Sequence, residues 1–351
     1  MASIPTSWQA FPCASDEATV LKLGKWQKRT LRVLGSAALV VGIFWFIPLG
    51  DVVVALRNAN VWHAAGSFVL TQVIAYLEGI QLWLLLRRAR VPVTAWDVFE
   101  TKMITRFYGQ FLPSELMASA VKLYRLAGPT NQWGEVMAAL VLTRVVNMIA
   151  LLLLGVTFWA IDLPTGAGRW IGFVMIGAAI ALMVLHFVLS SPVVTAHARW
   201  LLRSPLFARL RGRLVDKLKE IANSTASSYH RFGNMVWTIS AISLVRHVLG
   251  IASFWLVAKA VGVDLSWMTI AWVRVVLQAI MMLPISLSGI GLREGSLVIL
   301  LQSYAVPASQ AVAIAFLMFI ISLLSNSLGG LLELRNVALG SRPDPRRSAA
   351  E

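Results

Sequence analysis

Long apolar stretches separated by short polar loops run through most of this chain. A helix needs about 20 apolar residues to cross the roughly 30 Å hydrocarbon core of a bilayer. Six stretches reach that length or come close to it, at 31–49, 64–87, 134–161, 170–190, 236–259 and 308–334. The pattern predicts an all-α polytopic membrane protein with about six full spans.

Two further apolar regions, 97–126 and 267–304, are interrupted by a Leu-Pro pair. Three landmarks recur in them at one constant offset, namely Trp96 and Trp267, Pro113 and Pro284, and Lys122 and Arg293. The first region is too short for two complete crossings, and the second is only marginally longer. We therefore expect two proline-broken re-entrant helical hairpins, one inside each of two repeats at about 64–161 and 236–334.

The distribution of Lys and Arg predicts the orientation of the spans. Cations are dense in 1–30, at the end of the second span, in the 191–235 linker and in the 336–351 tail. The loops between them hold only three, which are Arg57, Arg169 and Lys259. The positive-inside rule then places both termini and the basic, amphipathic linker on the cytoplasmic side of the inner (plasma) membrane.

This orientation makes the two hairpins enter from opposite faces, which is an inverted-topology repeat of the kind that transporters use. An alternative remains open at this stage. In the alternative, both Leu-Pro segments are kinked full spans, because proline is tolerated in transmembrane helices. The inverted relation between the repeats is the same in either case.

Composition excludes several functional classes. The mean hydropathy of +0.73 and the 13% of charged residues exclude an ordinary soluble domain in 31–335. The net charge of +15 is explained by topology and anionic headgroups, so nucleic acid is not expected as a partner. Cys13 is the single cysteine, and no Walker motif or metal-ligand spacing occurs. We expect no cofactor, no metal and no enzymatic activity.

The chemistry of this chain is expected at ionisable residues that lie at membrane depth, since such residues are costly unless they face the bundle interior, a partner or water. Cations outnumber anions among them, which favours an anionic ligand. The candidate headgroup-binding residues are Arg293, Lys122, Arg144, Arg125 and Arg106. The candidate charge partners are Glu294, Glu115 and Glu78.

Hairpin two carries the sharper chemical signal. Gly289 and Gly291 follow the break at Pro284, and Arg293 and Glu294 open a new helix over 292–304. Backbone N–H groups and the dipole at a helix start favour phosphate, and a guanidinium binds its oxygens in a bidentate manner. A structural Arg-Glu clamp is the alternative interpretation, and the two roles are compatible.

Hairpin one is similar but has no matching glycines. Its break is at Pro113, and Lys122 follows on the next helical segment. Arg144, in the span after the hairpin, either completes the site or pairs with Glu78 or Glu115. The sequence leaves these alternatives open.

At these residues the chain resembles the transmembrane region of lysylphosphatidylglycerol synthases, a flippase-like membrane family. The resemblance covers about 31–335 and rests on LPISLSGIGLREGSLVILLQSYAVP at 283–307, GQFLPS at 109–114 and TRVVN at 143–147. The chain departs from the family pattern in hairpin one, where Met117-Ala118-Ser119 replaces an acidic motif and Lys122 replaces an arginine. Thr143 also stands where the family usually has Glu.

The resemblance implies movement of an anionic phospholipid or lipid-linked headgroup between leaflets, without ATP hydrolysis. The aminoacyl-transfer domain of the full synthases has no counterpart in 31–335, so lysine transfer is not expected. Two alternatives stay open. One is a non-catalytic membrane partner of a lipid synthase, for example in hopanoid or aminoacyl-lipid pathways. The other is an integral-membrane enzyme that acts on lipid phosphates.

Overall fold

The computed structural model describes residues 49–111, 115–162, 167–190, 232–233, 235–281, 289 and 291–338. Five helices make up the first half of this part of the chain: α1 (Leu49–Arg57), α2 (Val61–Arg88), α3 (Ala95–Phe111), α4 (Glu115–Ala127) and α5 (Trp133–Asp162). Five more make up the second half: α6 (Ala167–Ser190), α7 (Met235–Ala260), α8 (Trp267–Ile280), α9 (Leu292–Gln302) and α10 (Ala308–Ala338). The all-helical prediction is confirmed for these residues.

Four helices are long and apolar enough to cross a membrane, namely α2, α5, α7 and α10. They correspond to four of the six predicted spans. The predicted span at 170–190 lies within α6, whose apolar stretch Arg169–Val184 is shorter. The predicted span at 31–49 and nearly all of the 191–235 linker lie outside the described residues, so those predictions stay predictions.

Local capping explains where α2 begins. The Asn60 side chain accepts hydrogen bonds from the backbone N–H groups of Trp62 (2.9 Å) and His63 (3.2 Å). These are two of the donors that a helix start leaves without intrahelical partners. The Asn60 N–H also donates to the carbonyl oxygen of Ala260 at 2.8 Å. The start of α2 therefore lies beside the end of α7.

The spans α2 and α7 run antiparallel along one another. The hydroxyl of Ser67, early in α2, lies 2.8 Å from that of Ser253, late in α7. Gln81, late in α2, contacts Ser243, early in α7, at 2.6 Å. Residue numbers thus rise along one helix as they fall along the other. Small and polar side chains at the contact let two membrane helices approach closely.

The halves α1–α5 and α6–α10 pack reciprocally. Helix α3 packs on α10, and its counterpart α8 packs on α5. A glycine on each long helix makes this possible: a Cβ at Gly329 would lie 2.0 Å from the Met103 carbonyl oxygen, and one at Gly155 would lie 2.5 Å from Cγ1 of Val275. Helices α1 and α3 of the first half therefore both pack on α10, and helices α6 and α8 of the second half both pack on α5.

Two apolar clusters form the core. One joins α7, α8 and α10 around Trp272 and Phe254. The other joins α2 and α5 around Leu85, Leu142 and Phe232. The buried polar side chains of α2, α5 and α7 form a separate hydrogen-bond network, which belongs to the candidate functional site.

Candidate functional site

A buried ion cluster joins helices α2, α3 and α7. The Glu78 carboxylate contacts the Lys102 ammonium, and its Oε2 lies 3.5 Å from Nη2 of Arg246. The Lys102 side chain is 3% exposed and that of Glu78 is 30% exposed. Because a buried ammonium without a counter-ion is strongly unfavourable, the Glu78 carboxylate stabilises the charged form of Lys102.

Amide and hydroxyl groups hold Arg246 in place. Its Nη1 donates to Oε1 of Gln81 at 2.8 Å and to Oδ1 of Asn147 at 2.9 Å. The Ser243 hydroxyl donates to the same Asn147 oxygen at 2.5 Å, and Nε2 of His247 lies 3.0 Å from the Asn147 carbonyl oxygen. Hydrogen bonds among three helices thereby fix the guanidinium beside Glu78.

The site carries more positive than negative charge. The charges of Arg106 and Lys122 act on Glu78 in addition to those of Lys102 and Arg246. Arg106 is half-buried on α3, and its Nη1 is buried without a hydrogen-bond partner among the described residues. Among the described residues Glu78 is the carboxylate that faces these cations, so the arrangement is suited to receive an anion.

The start of α9 holds its own carboxylate. The Glu294 side chain, 6% exposed, accepts the Gly291 N–H at 2.6 Å and caps the helix. Gly289 and Gly291 have φ values of +75° and +82°, which glycine adopts without strain. The Arg293 guanidinium lies over the Phe319 ring, 5.7 Å from its centre. Glu294 therefore takes one of the backbone N–H groups at this helix start.

The other predicted residues are spread around the molecule. Arg125 of α4 donates two hydrogen bonds to the Glu333 carboxylate of α10, at 3.0 and 2.7 Å. Arg144 is exposed on α5 and is not among the cations that pair with Glu78. Pro113, Pro284 and the Glu115 side chain lie outside the described residues. The charges of Arg106 and Lys122 thus act on Glu78, whereas Arg125 is bound to Glu333 and Arg293 lies against Phe319.

The decisive comparison concerns the whole membrane region. A family whose sequence model is described as "Lysylphosphatidylglycerol synthase TM region" matches residues 32–330. The chain belongs to this family. The resemblance drawn from the hairpin motifs is thereby confirmed, and the protein is an integral membrane protein with a lipid-related role. Neither a curated protein nor a solved structure matches the chain.

In this member of the lysylphosphatidylglycerol synthase family, the matched region contains every residue of the ion cluster. Sequence reasoning had not placed Arg246, Gln81 and Asn147 at one site. Gln81 and Asn147 are polar residues inside otherwise apolar spans, which is a usable signal because a buried amide needs partners. Only the antiparallel contact of α2 with α7 shows that they meet.

Asp162 and Glu333 are among the carboxylates that join the two halves of the family fold. Asp162, the last residue of α5, accepts hydrogen bonds from Trp272 Nε1 at 2.7 Å, from Thr269 Oγ1 at 2.9 Å and from the Tyr304 hydroxyl. Burial, together with this hydrogen bond, raises the pKa of Tyr304 to about 12. Glu333 plays the corresponding role near the end of α10, where it binds Arg125. Each long span is thus bonded to the hairpin helices of the other half.

Proposed function

We propose that this chain is a lipid translocator that moves an anionic phospholipid or lipid-linked headgroup between leaflets without ATP hydrolysis. The observation that carries the proposal is the cation-rich cluster around Glu78, which lies between α2 and α7, two apolar helices of membrane-spanning length, and the shorter α3. Ionisable residues at such depth indicate function by default, because burying them is expensive.

The headgroup is expected to bind where positive charge exceeds negative. Glu78 is the counter-ion of both Lys102 and Arg246. An arriving phosphate offers further oxygens to these groups and to Arg106, whose Nη1 has no hydrogen-bond partner within the described helices. Guanidinium and ammonium donors form charge-assisted bonds with phosphate, and an excess of positive charge repels the ammonium group of a zwitterionic headgroup, so the site should favour an anionic headgroup.

The architecture supports movement between faces. Helix α3 has 17 residues and α8 has 14, which correspond to about 25 Å and 21 Å at 1.5 Å per residue. Both are shorter than the roughly 30 Å hydrocarbon core. This length, with the antiparallel α2 and α7 and the reciprocal packing, supports re-entrant hairpins in an inverted repeat. Rocking of one half against the other then exposes the site alternately.

The orientation within the membrane is part of the same proposal. Helix α2 ends in Arg87 and Arg88, and Arg90 follows directly. Cations at this position favour the cytoplasmic side, with both termini on that side of the inner membrane. Reaction of single cysteines, introduced at Arg90 and Arg169 in a Cys13→Ser background, with a membrane-impermeant thiol reagent tests this orientation.

The state of the carboxylates favours transport over lipid-phosphate chemistry. Glu78 is bound to Lys102, Glu294 caps α9, and Glu333 is bound to Arg125. A general acid or base needs a carboxyl group that can exchange protons with the reacting atoms. Because Glu78, Glu294 and Glu333 are each bound to a neighbour, we propose that the chain is not an enzyme.

Leaflet exchange in liposomes tests the function. Purified protein in vesicles of phosphatidylcholine and phosphatidylglycerol, with a trace of headgroup-accessible fluorescent phosphatidylglycerol, is treated with an impermeant quencher. We expect the quenched fraction to exceed that of protein-free vesicles, whose inner leaflet is protected. The proposal would be contradicted if vesicles with and without protein showed the same quenched fraction for each of three probes, phosphatidylglycerol, phosphatidic acid and phosphatidylethanolamine.

A further inference from the structure

A second buried guanidinium lies near the ion cluster, on the hairpin helix of the other half. Arg274 of α8 packs against α7 at Gly250, where a Cβ would lie 2.1 Å from its Nη2 and 2.4 Å from its Cζ. Glycine leaves this space open for the guanidinium. Gly250 stands one helical turn after Arg246, so Arg274 and Arg246 are neighbours.

The electrostatic surroundings of Arg274 differ from those of Arg246. Its Nη1 is buried and has no hydrogen-bond partner in the described part of the chain. The formal charge that acts on Arg274 there is the like charge of Arg246. No carboxylate among the described residues pairs with it, whereas Arg246 has Glu78 within 3.5 Å. Within the described part of the chain, Arg274 is therefore a cation without a counter-ion.

Holding such a cation at this depth is expensive. A buried charge is tolerated when it is paired or bound to a ligand, and a like charge nearby raises the cost. The fork of five N–H donors matches the oxygens of phosphate better than it matches a halide or a neutral group. The ligand class that this environment selects is thus a phosphate oxyanion.

We propose that Arg274, in the space that Gly250 leaves open, is a second anion-binding site that takes a phosphate oxyanion, either of a lipid headgroup or of free phosphate. The inference rests on the proposed function, in which one headgroup binds in turn at Arg106 and at Arg274 and passes Arg246 on the way. Each half of the molecule contributes one of these two binding residues, from the first helix of its hairpin.

Thermal unfolding of the full-length protein in detergent tests the site. The ligands are short-chain phosphatidylglycerol and inorganic phosphate. Short-chain phosphatidylcholine, a zwitterionic lipid without net charge, is the comparison. We expect Arg274→Gln to raise the Tm of the ligand-free protein, because an uncompensated buried charge is removed. It should also shrink the Tm increase that phosphatidylglycerol or phosphate gives, since a ligand stabilises only what it binds. The affinity lost corresponds to about tenfold or more for one charge-assisted bond.

Gly250→Ala tests the same site without changing charge. The added methyl group pushes the flexible end of Arg274 aside, so the ligand-induced Tm increase should again shrink. Matched controls are Arg169→Gln, on the exposed start of α6, and Gly177→Ala, where a Cβ meets nothing within 4 Å. Both controls should keep the wild-type increase.

The outcomes separate cleanly. A lower ligand-free Tm for Arg274→Gln with an unchanged ligand-induced increase would make Arg274 a structural residue and overturn the proposal. An unchanged increase in both Arg274→Gln and Gly250→Ala would also overturn it. A response to phosphatidylglycerol alone identifies the lipid headgroup as the ligand, and a response to inorganic phosphate as well identifies the free anion. Both responses support the site.

The leaflet-exchange assay distinguishes failure of the site from failure of the function. If wild-type protein shows no exchange but its phosphatidylglycerol response depends on Arg274, the site stands and translocation fails. If wild type and Arg274→Gln exchange lipid equally and respond equally to ligand, translocation stands and the site fails.

Discussion

Glu78→Gln is the substitution that tests most sharply how the ion cluster is balanced. It removes the carboxylate and keeps the side-chain volume, so Lys102 and Arg246 lose their counter-ion while packing is preserved. Breaking one partner of a fully buried pair costs about 3–5 kcal/mol. Lys102 is 3% exposed but Glu78 is 30% exposed. Solvent at the carboxylate reduces the loss, and we expect about 2–3 kcal/mol.

The assay is thermal or denaturant unfolding of the purified protein, with Lys102→Met and the double variant completing a double-mutant cycle. The double variant should recover part of the lost stability, because it removes both charges of the Glu78–Lys102 pair and leaves only Arg246 without its counter-ion. Added phosphatidylglycerol should stabilise Glu78→Gln more than wild type, since the vacated cations then bind the lipid phosphate. Additive losses in the cycle, or equal stabilisation of both proteins by phosphatidylglycerol, would refute the reasoning.

Two further predictions concern the contacts between the halves. Gly329→Ala would place a methyl carbon 2.0 Å from the Met103 backbone oxygen, so we expect the free energy of unfolding to fall by about 1–3 kcal/mol. The control Gly177→Ala should change it little, and equal stabilities of the two variants would refute the close packing. The pKa of Tyr304 is raised from 10.0 to about 12, so the folded state keeps a proton that the unfolded state loses. Wild-type stability should therefore fall as pH rises from about 10 towards 12. Tyr304→Phe should lack this component in melting curves between pH 9 and 12, and an identical alkaline decline in both proteins would speak against the Asp162 bond.

Part of this picture was predictable from sequence because membrane helices obey strong local rules. Apolar length alone located four spans to within a few residues, since the bilayer sets their minimum. The family followed from the motif around Gly291 and Arg293. The capping role of Glu294 was also within reach, because a carboxylate three residues after a helix-start glycine is placed to accept its N–H.

The ion cluster was not predictable in the same way. Arg144 and Arg246 are both arginines inside apolar spans, and only tertiary packing leaves the first exposed and buries the second. A local pattern does not tell which face of a helix another helix covers. The sequence left open whether Arg144 completes the site or pairs with Glu78 or Glu115, and the described partners of Glu78 are Lys102 and Arg246. That pairing depends on the antiparallel register of α2 and α7.

The measurement that tests the central claim most directly is phosphatidylglycerol exchange by wild type against Arg106→Gln. Arg106 makes no hydrogen bond through its buried Nη1 within the described helices, so the substitution should leave the protein folded, with Glu78, Lys102 and Arg246 still paired. The account predicts exchange of phosphatidylglycerol by wild type above protein-free vesicles and about tenfold slower exchange by Arg106→Gln. Arg169→Gln should match wild type. Exchange that is equally fast in Arg106→Gln, or that occurs equally for phosphatidylcholine, would contradict a cationic headgroup site.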